Sequence, residues 1–107
     1  MSKKILMVEN NQILSRILKM NLEGEGFSVS IVSNGREALE RIKAEAPDLI
    51  FLDIKMPDMD GFQVCRTLKE DDGCKNIAVI FFTNLTDPEI QEKCSKAGAV
   101  DCLIKTD

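Results

Sequence analysis

The chain has 107 residues, 44% of them hydrophobic and 30% charged, which sets a single domain with apolar side chains enough for a core and excludes a disordered tail. Its formal net charge of −4, without a block of Lys and Arg, excludes the electrostatic footprint of a direct nucleic-acid binder. Four scattered cysteines with no C-x-x-C pair and no histidine exclude the common zinc sites, and the apolar run after Met1-Ser2-Lys3-Lys4 is too short for a signal peptide or a membrane span.

Ile5-Leu6-Met7-Val8 is a compact apolar run of the kind that forms a strand buried on both faces, and Glu9-Asn10-Asn11 ends it. Ile13, Leu14, Ile17 and Leu18 then recur at helical spacing, a stripe to lay on a sheet. Phe27-Ser28-Val29-Ser30-Ile31 alternates apolar with polar and predicts an edge strand with one wet face. Asn34 with Glu37 three residues on predicts a capping box opening a helix whose apolar side carries Ala38, Leu39, Ile42 and Ala46. Leu49-Ile50-Phe51-Leu52 is a third strand, running into Asp53, and Gly61 to Glu70 a third helix with Val64 and Leu68 on one side. Ile77 to Phe82 is a fourth strand, followed by Thr83. Asp87-Pro88 predicts an N-cap with proline at the first helical position, for a helix carrying Ile90, Cys94 and Ala97 and stopped by Gly98. Cys102-Leu103-Ile104 is a weaker buried strand before Lys105. Cys65, Cys74, Cys94 and Cys102 read as reduced, mostly buried small residues of a cytoplasmic protein.

Strands alternating with helices in this way force parallel pairing with right-handed crossovers, hence an α/β fold with a doubly wound five-stranded parallel sheet. In such sheets the functional crevice lies at the carboxyl ends of the strands, where the strand order reverses. The residues there are Glu9-Asn10-Asn11, Asp53, Thr83 and Lys105. Two carboxylates and an amide oxygen suit a hard cation such as Mg²⁺, while an ammonium and a hydroxyl suit the oxygens of a phosphoryl group. Taken singly, each residue has a plainer reading. A strand-end carboxylate ends a strand, Thr83 packs, Lys105 is solvated, Asn10 and Asn11 cap a helix, and Met56, Met59 and the phenylalanines are packing residues.

Together, Ile5 to Asn11, the loop Asp53-Ile54-Lys55-Met56-Pro57-Asp58-Met59-Asp60-Gly61, Ile80 to Thr83 and Ala97 to Lys105 resemble the receiver domain of two-component response regulators along the whole chain. The resemblance implies the flavodoxin-like strand order 2-1-3-4-5, with the family's fifth helix absent, so that residues 1–107 read as a receiver domain truncated after its fifth strand. It implies a signal-transduction role in which Asp53 accepts a phosphoryl group. Mg²⁺ or Mn²⁺ would be held by Glu9, Asn10, Asp53 and the backbone carbonyl of Lys55. Thr83 and Lys105 would bind the phosphoryl oxygens, and Thr83 and Cys102 would be the switch positions. The donor would be a histidine kinase or a phosphotransfer protein of a phosphorelay. The surface from Ile90 to Lys105 would meet a second copy or a downstream effector domain, with no direct nucleic acid and no membrane.

Four positions depart from the family pattern: Asn10 stands for an aspartate, Asn84 for a small residue, Cys102 for an aromatic one, and Thr106 for a proline. Asn10 lowers the charge of the metal site and predicts weak binding. Asn10, Thr106 and Cys102 also favour an alternative, a degenerate receiver serving as a phosphorylation-independent interaction module. A phosphatase using aspartyl-phosphate chemistry is disfavoured, because Lys55 occupies the place of its general acid and no cap domain is encoded. The chain therefore reads as a phosphoacceptor that assists its own chemistry and not as an enzyme in the usual sense. A flavin or nucleotide site would need a Gly-, Ser- or Thr-rich loop after the first strand, where this chain is acidic and amidic.

Overall fold

The computed structural model describes residues 3–83 and 88–105. In chain order the elements are β1 (Lys4–Val8), α1 (Gln12–Gly24), β2 (Ser28–Val32), α2 (Gly35–Glu45), β3 (Leu49–Leu52), α3 (Gly61–Glu70), β4 (Ala78–Thr83), α4 (Pro88–Lys96) and β5 (Asp101–Ile104). All four strand pairings are parallel and the order is 2-1-3-4-5, as the resemblance implied.

Helices cover the two faces unequally. On one face Val64, Cys65 and Leu68 of α3, Ala38 and Ile42 of α2 and Cys94 of α4 close over Leu6, Val8, Ile50, Leu52, Val79 and Phe81. Fully burying a side chain of this size stabilises the fold by about 1.5–3 kcal/mol. On the other face α1 packs Leu18 and Leu22 on Ile5, Met7 and Val29.

The stripe expected on α1 divides. Leu18 packs on the core and Leu14 is half-buried, whereas Ile13 is 75% exposed, Ile17 52% and Met20 72%. Ile5 and Met7 of β1 are buried beneath α1. β5 is also an edge strand and not a doubly buried one: Cys102 is covered, but Leu103 and Ile104 are largely exposed because β5 has only β4 beside it.

Local caps fix where the helices begin. Asn11 caps α1, its side chain accepting from Leu14 N–H at 3.0 Å. Asn34 caps α2 through Glu37 N–H at 2.8 Å, but the reciprocal half of the expected box is missing, since the Glu37 carboxylate accepts from the Asn34 amide. The complete capping box is at α3, where Asp60 accepts from Gln63 N–H and Gln63 accepts from Asp60 N–H. Ala46 does not belong to the apolar stripe of α2. It is the C-cap, in the left-handed region at φ 47°, ahead of Pro47. Asp87, expected to cap α4, lies outside the described residues, as do Asn84 and Thr106.

Candidate functional site

Three strand ends are pinned by backbone hydrogen bonds one residue past the regular ladder. Glu9 N–H donates to Val32 O at 3.0 Å, Asp53 N–H to Val8 O at 3.0 Å, and Lys105 N–H to Thr83 O at 2.7 Å. Val8 and Leu52 are in register, so Glu9 and Asp53 emerge side by side. The strand run thus turns a sequence separation of 44 residues into adjacency, and the β4–β5 ladder delivers Lys105 to the same edge.

The result is a buried cluster of two carboxylates and one ammonium. Lys105 Nζ lies 3.3 Å from Asp53 Oδ2, is in direct contact with Glu9 Oε2, and sits 5.6 Å from the centre of the Phe82 ring. The Lys105 side chain is only 15% exposed, so it is not the solvated lysine of the plainer reading. Burial, and after it the charge of Glu9, raises the Asp53 carboxyl above its ordinary range, while Lys105 and the Lys55 backbone N–H pull it back.

Glu9 is held from both sides. Its Oε1 accepts from Asn11 N–H at 3.1 Å, whereas Oε2 is buried, accepts no hydrogen bond of good geometry and meets the Lys105 ammonium only as an ion pair. A buried carboxylate oxygen held by one cation shared with a second carboxylate fits a place for a further positive charge. Among the described residues no third acidic, Cys or His side chain joins Glu9 and Asp53. A cation there would therefore complete its shell with neutral oxygens: the amide of Asn10, which is exposed at the rim, a peptide carbonyl of the Lys55 loop, and water.

Thr83 is buried at the end of β4. Cys102 is placed elsewhere. It lies across the ladder from Phe81, with its thiol against that of Cys94 on α4.

Two supports of the site were not foreseen. Gly61, the first residue of α3, lies directly beneath the Asp53 peptide, where a Cβ would come within 2.4 Å of Asp53 O and 3.1 Å of the Phe81 ring. Asp58 clamps the loop to α2, accepting from Gly35 N–H at 2.9 Å and Arg36 N–H at 2.8 Å, and these bonds hold its carboxyl below the usual range. The signal for the first was a glycine opening a helix eight residues after a buried strand end. For the second it was a carboxylate directly after Pro57 in the loop between Asp53 and α3.

The fold and this edge define a family, and the chain belongs to it: the response regulator receiver domain family, whose model matches residues 5–106. The chain is 38% identical over 105 residues to the response regulator PleD of Caulobacter vibrioides, covering 98% of this chain and 23% of that protein. It thus spans about a quarter of that relative's length. Among solved structures it resembles the signal receiver domain of a signal transduction histidine kinase from Syntrophus aciditrophicus, with 38% identity, a TM-score of 0.90, and 99% of this chain and 80% of that one covered. It also resembles the phosphorylated cyanobacterial phytochrome response regulator RcpA, with 27% identity, a TM-score of 0.91, and coverage of 99% and 82%.

Proposed function

We propose that this receiver domain takes a phosphoryl group on Asp53 in a Mg²⁺-dependent reaction and passes the event on through the α4–β5 surface. The observation that carries the reading is the buried placement of Asp53 between Glu9 and Lys105 at the carboxyl edge of the sheet. A carboxylate oxygen of Asp53 attacks the phosphorus of a phosphohistidine or acyl phosphate. The new O–P bond forms as the bond to the leaving group breaks. Lys105, already drawn to Asp53 Oδ2, is the ammonium that meets the incoming negative oxygens, and Thr83 at the neighbouring strand end is the hydroxyl that binds one of them.

Glu9, Asn10, Asp53 and the Lys55 carbonyl are the residues that would hold Mg²⁺ or Mn²⁺, and with only two carboxylates among them the ion is weakly bound. The ion supplies offsetting charge for the transferred group. Phosphoryl oxygens carry roughly one to two negative charges, enough to draw Lys105 from Glu9 and to reorganise Thr83. Cys102 is the other switch position, at the point where β5 meets α4.

The donor is a histidine kinase or phosphotransfer protein of a cytoplasmic relay. The receiver of a histidine kinase and the phosphorylated regulator among the similar structures support that class of chemistry. The output is contact with a second copy or with an effector domain. Among the described residues no helix is long and apolar enough to cross a membrane.

Incubation with acetyl phosphate tests the reading. The wild type is expected to take up one phosphoryl group per chain in the presence of Mg²⁺ and none with chelator, and Asp53→Asn none in either case. Uptake by Asp53→Asn at the wild-type level would remove Asp53 from the role. No uptake by the wild type from acetyl phosphate or a phosphorylated phosphotransfer domain would make the chain a phosphorylation-independent interaction module.

A further inference from the structure

The junction of α4 and β5 holds two thiols in contact. Sγ of Cys94 and Sγ of Cys102 lie 3.1 Å apart, and both residues are buried as free cysteines. A cystine bond is about 2.05 Å long, so roughly 1 Å of approach separates this contact from a covalent link.

The approach is built into the backbone between them. Ala97 N–H bonds Lys93 O, Gly98 N–H bonds Ser95 O and Ala99 N–H bonds Cys94 O, while Gly98 turns the chain at φ 93° and Val100 N–H fastens to Val79 O. Cys102 is in turn held across the ladder from Phe81. A cleft of about 160 Å³, lined by both cysteines with Gln91, Ser95 and Val100, opens beside the pair. Water occupies about 30 Å³ of liquid, so a molecule of that order of size has room to enter.

We propose that Cys94 and Cys102 are a modification site, closing to an intramolecular disulfide when the protein meets a hydroperoxide and fastening α4 to the edge strand that carries Lys105. Cys102, at 9% exposure against 2% for Cys94, is the first to react. Its thiol loses a proton and the sulfur attacks the peroxide O–O bond, which breaks to leave a sulfenic acid and hydroxide. The sulfur of Cys94, deprotonated in turn, attacks the sulfenic sulfur. The S–O bond breaks, and the second hydroxide departs. Two thiols and one hydrogen peroxide give one disulfide and two waters, the thiols oxidised and the peroxide reduced. Burial pushes the Cys94 thiol up to about 12, so its thiolate is scarce near neutrality and the second step quickens as pH rises. Cys65 does not compete for this bond, because its thiol is turned to Ala97 O at 3.2 Å.

The test treats the folded chain with hydrogen peroxide at about pH 7 and about pH 9, then alkylates the remaining thiols in denaturant and weighs the protein. Two of the four cysteines are expected to be protected, more quickly at the higher pH, in a monomer lighter by two hydrogens. Trypsin cuts after Lys96, so a Cys94 peptide joined to a Cys102 peptide and parted by dithiothreitol identifies the bond. Cys94→Ser should protect no pair and instead leave Cys102 as a sulfenic acid trapped by dimedone. Four alkylated thiols in the oxidised wild type, a link through Cys65 or Cys74, or a link between chains would overturn the proposal. The thiol count in the wild type decides this even if the variant does not fold.

Discussion

At the scale of single residues, one ammonium serving two carboxylates governs the pocket. Burial and Glu9 raise the Asp53 carboxyl, which sets a direction for stability against pH. Below the ordinary aspartate range the folded and unfolded chains both carry the proton. As pH climbs from about 4 the unfolded chain ionises first, and stability falls until the folded Asp53 ionises too. Asn cannot ionise, so Asp53→Asn is expected to melt higher than the wild type at pH 7, with the difference vanishing as the pH falls to about 4. A variant melting lower at pH 7 would show that the attraction of Lys105 outweighs the burial. Asn10→Asp should act in the opposite sense on the metal-free protein, lowering its midpoint by crowding a third carboxylate, while tightening Mg²⁺ on the order of tenfold, or about 1.4 kcal/mol. Equal Mg²⁺ titrations would place Asn10 outside the shell. The sequence revealed these residues because each follows an apolar run. It did not reveal that Lys105 bridges Glu9 and Asp53, since that depends on two strand registers at once.

At the scale of elements, α3 supports the site from below. Gly61 N–H donates to Ile54 O at 2.7 Å, which brings the helix start so close to the Asp53 peptide that a methyl group has no room. Gly61→Ala is expected to cost about 1–3 kcal/mol by overpacking and to slow phosphoryl uptake by displacing Asp53. Urea unfolding and acetyl phosphate uptake check the two effects, and a variant as stable and as reactive as the wild type would contradict them. Element order and type were legible from periodicity, and every expected strand and helix is found. The caps were less so. Asn34-x-x-Glu37 and Asp60-x-x-Gln63 are equally good signatures on paper, yet only the second closes, because the Glu37 side chain is drawn to the Asn34 amide. Exposure of β5 was also misread, since three apolar residues look alike whether a strand is central or at an edge.

At the scale of the whole molecule, the face shared by α1 and the far strands is unevenly closed. Ile13, Ile17 and Met20 line α1 at helical spacing in the open, and Leu103 is exposed on β5, in register with half-buried Phe82. Exposed apolar area of a few hundred square ångströms is worth several kcal/mol at about 25 cal/mol per Å², a large part of a small domain's stability. The chain is expected to self-associate through this face, with a melting midpoint that rises with concentration, and Ile17→Lys with Met20→Lys should abolish the rise without lowering the midpoint of the dilute protein. A concentration-independent wild type would refute the expectation.

The attachment of Lys105 has a kinetic corollary. Its amide is bonded to Thr83 O and its ammonium to the pocket, so each fraying of β5 exposes an amide to deuterium and strips Glu9 and Asp53 of their counter-ion in the same motion. Hydrogen exchange at this one backbone position is therefore a gauge of the pocket's charge. It should slow when beryllofluoride seats on Asp53 and quicken in Glu9→Gln, although neither change touches the strand itself.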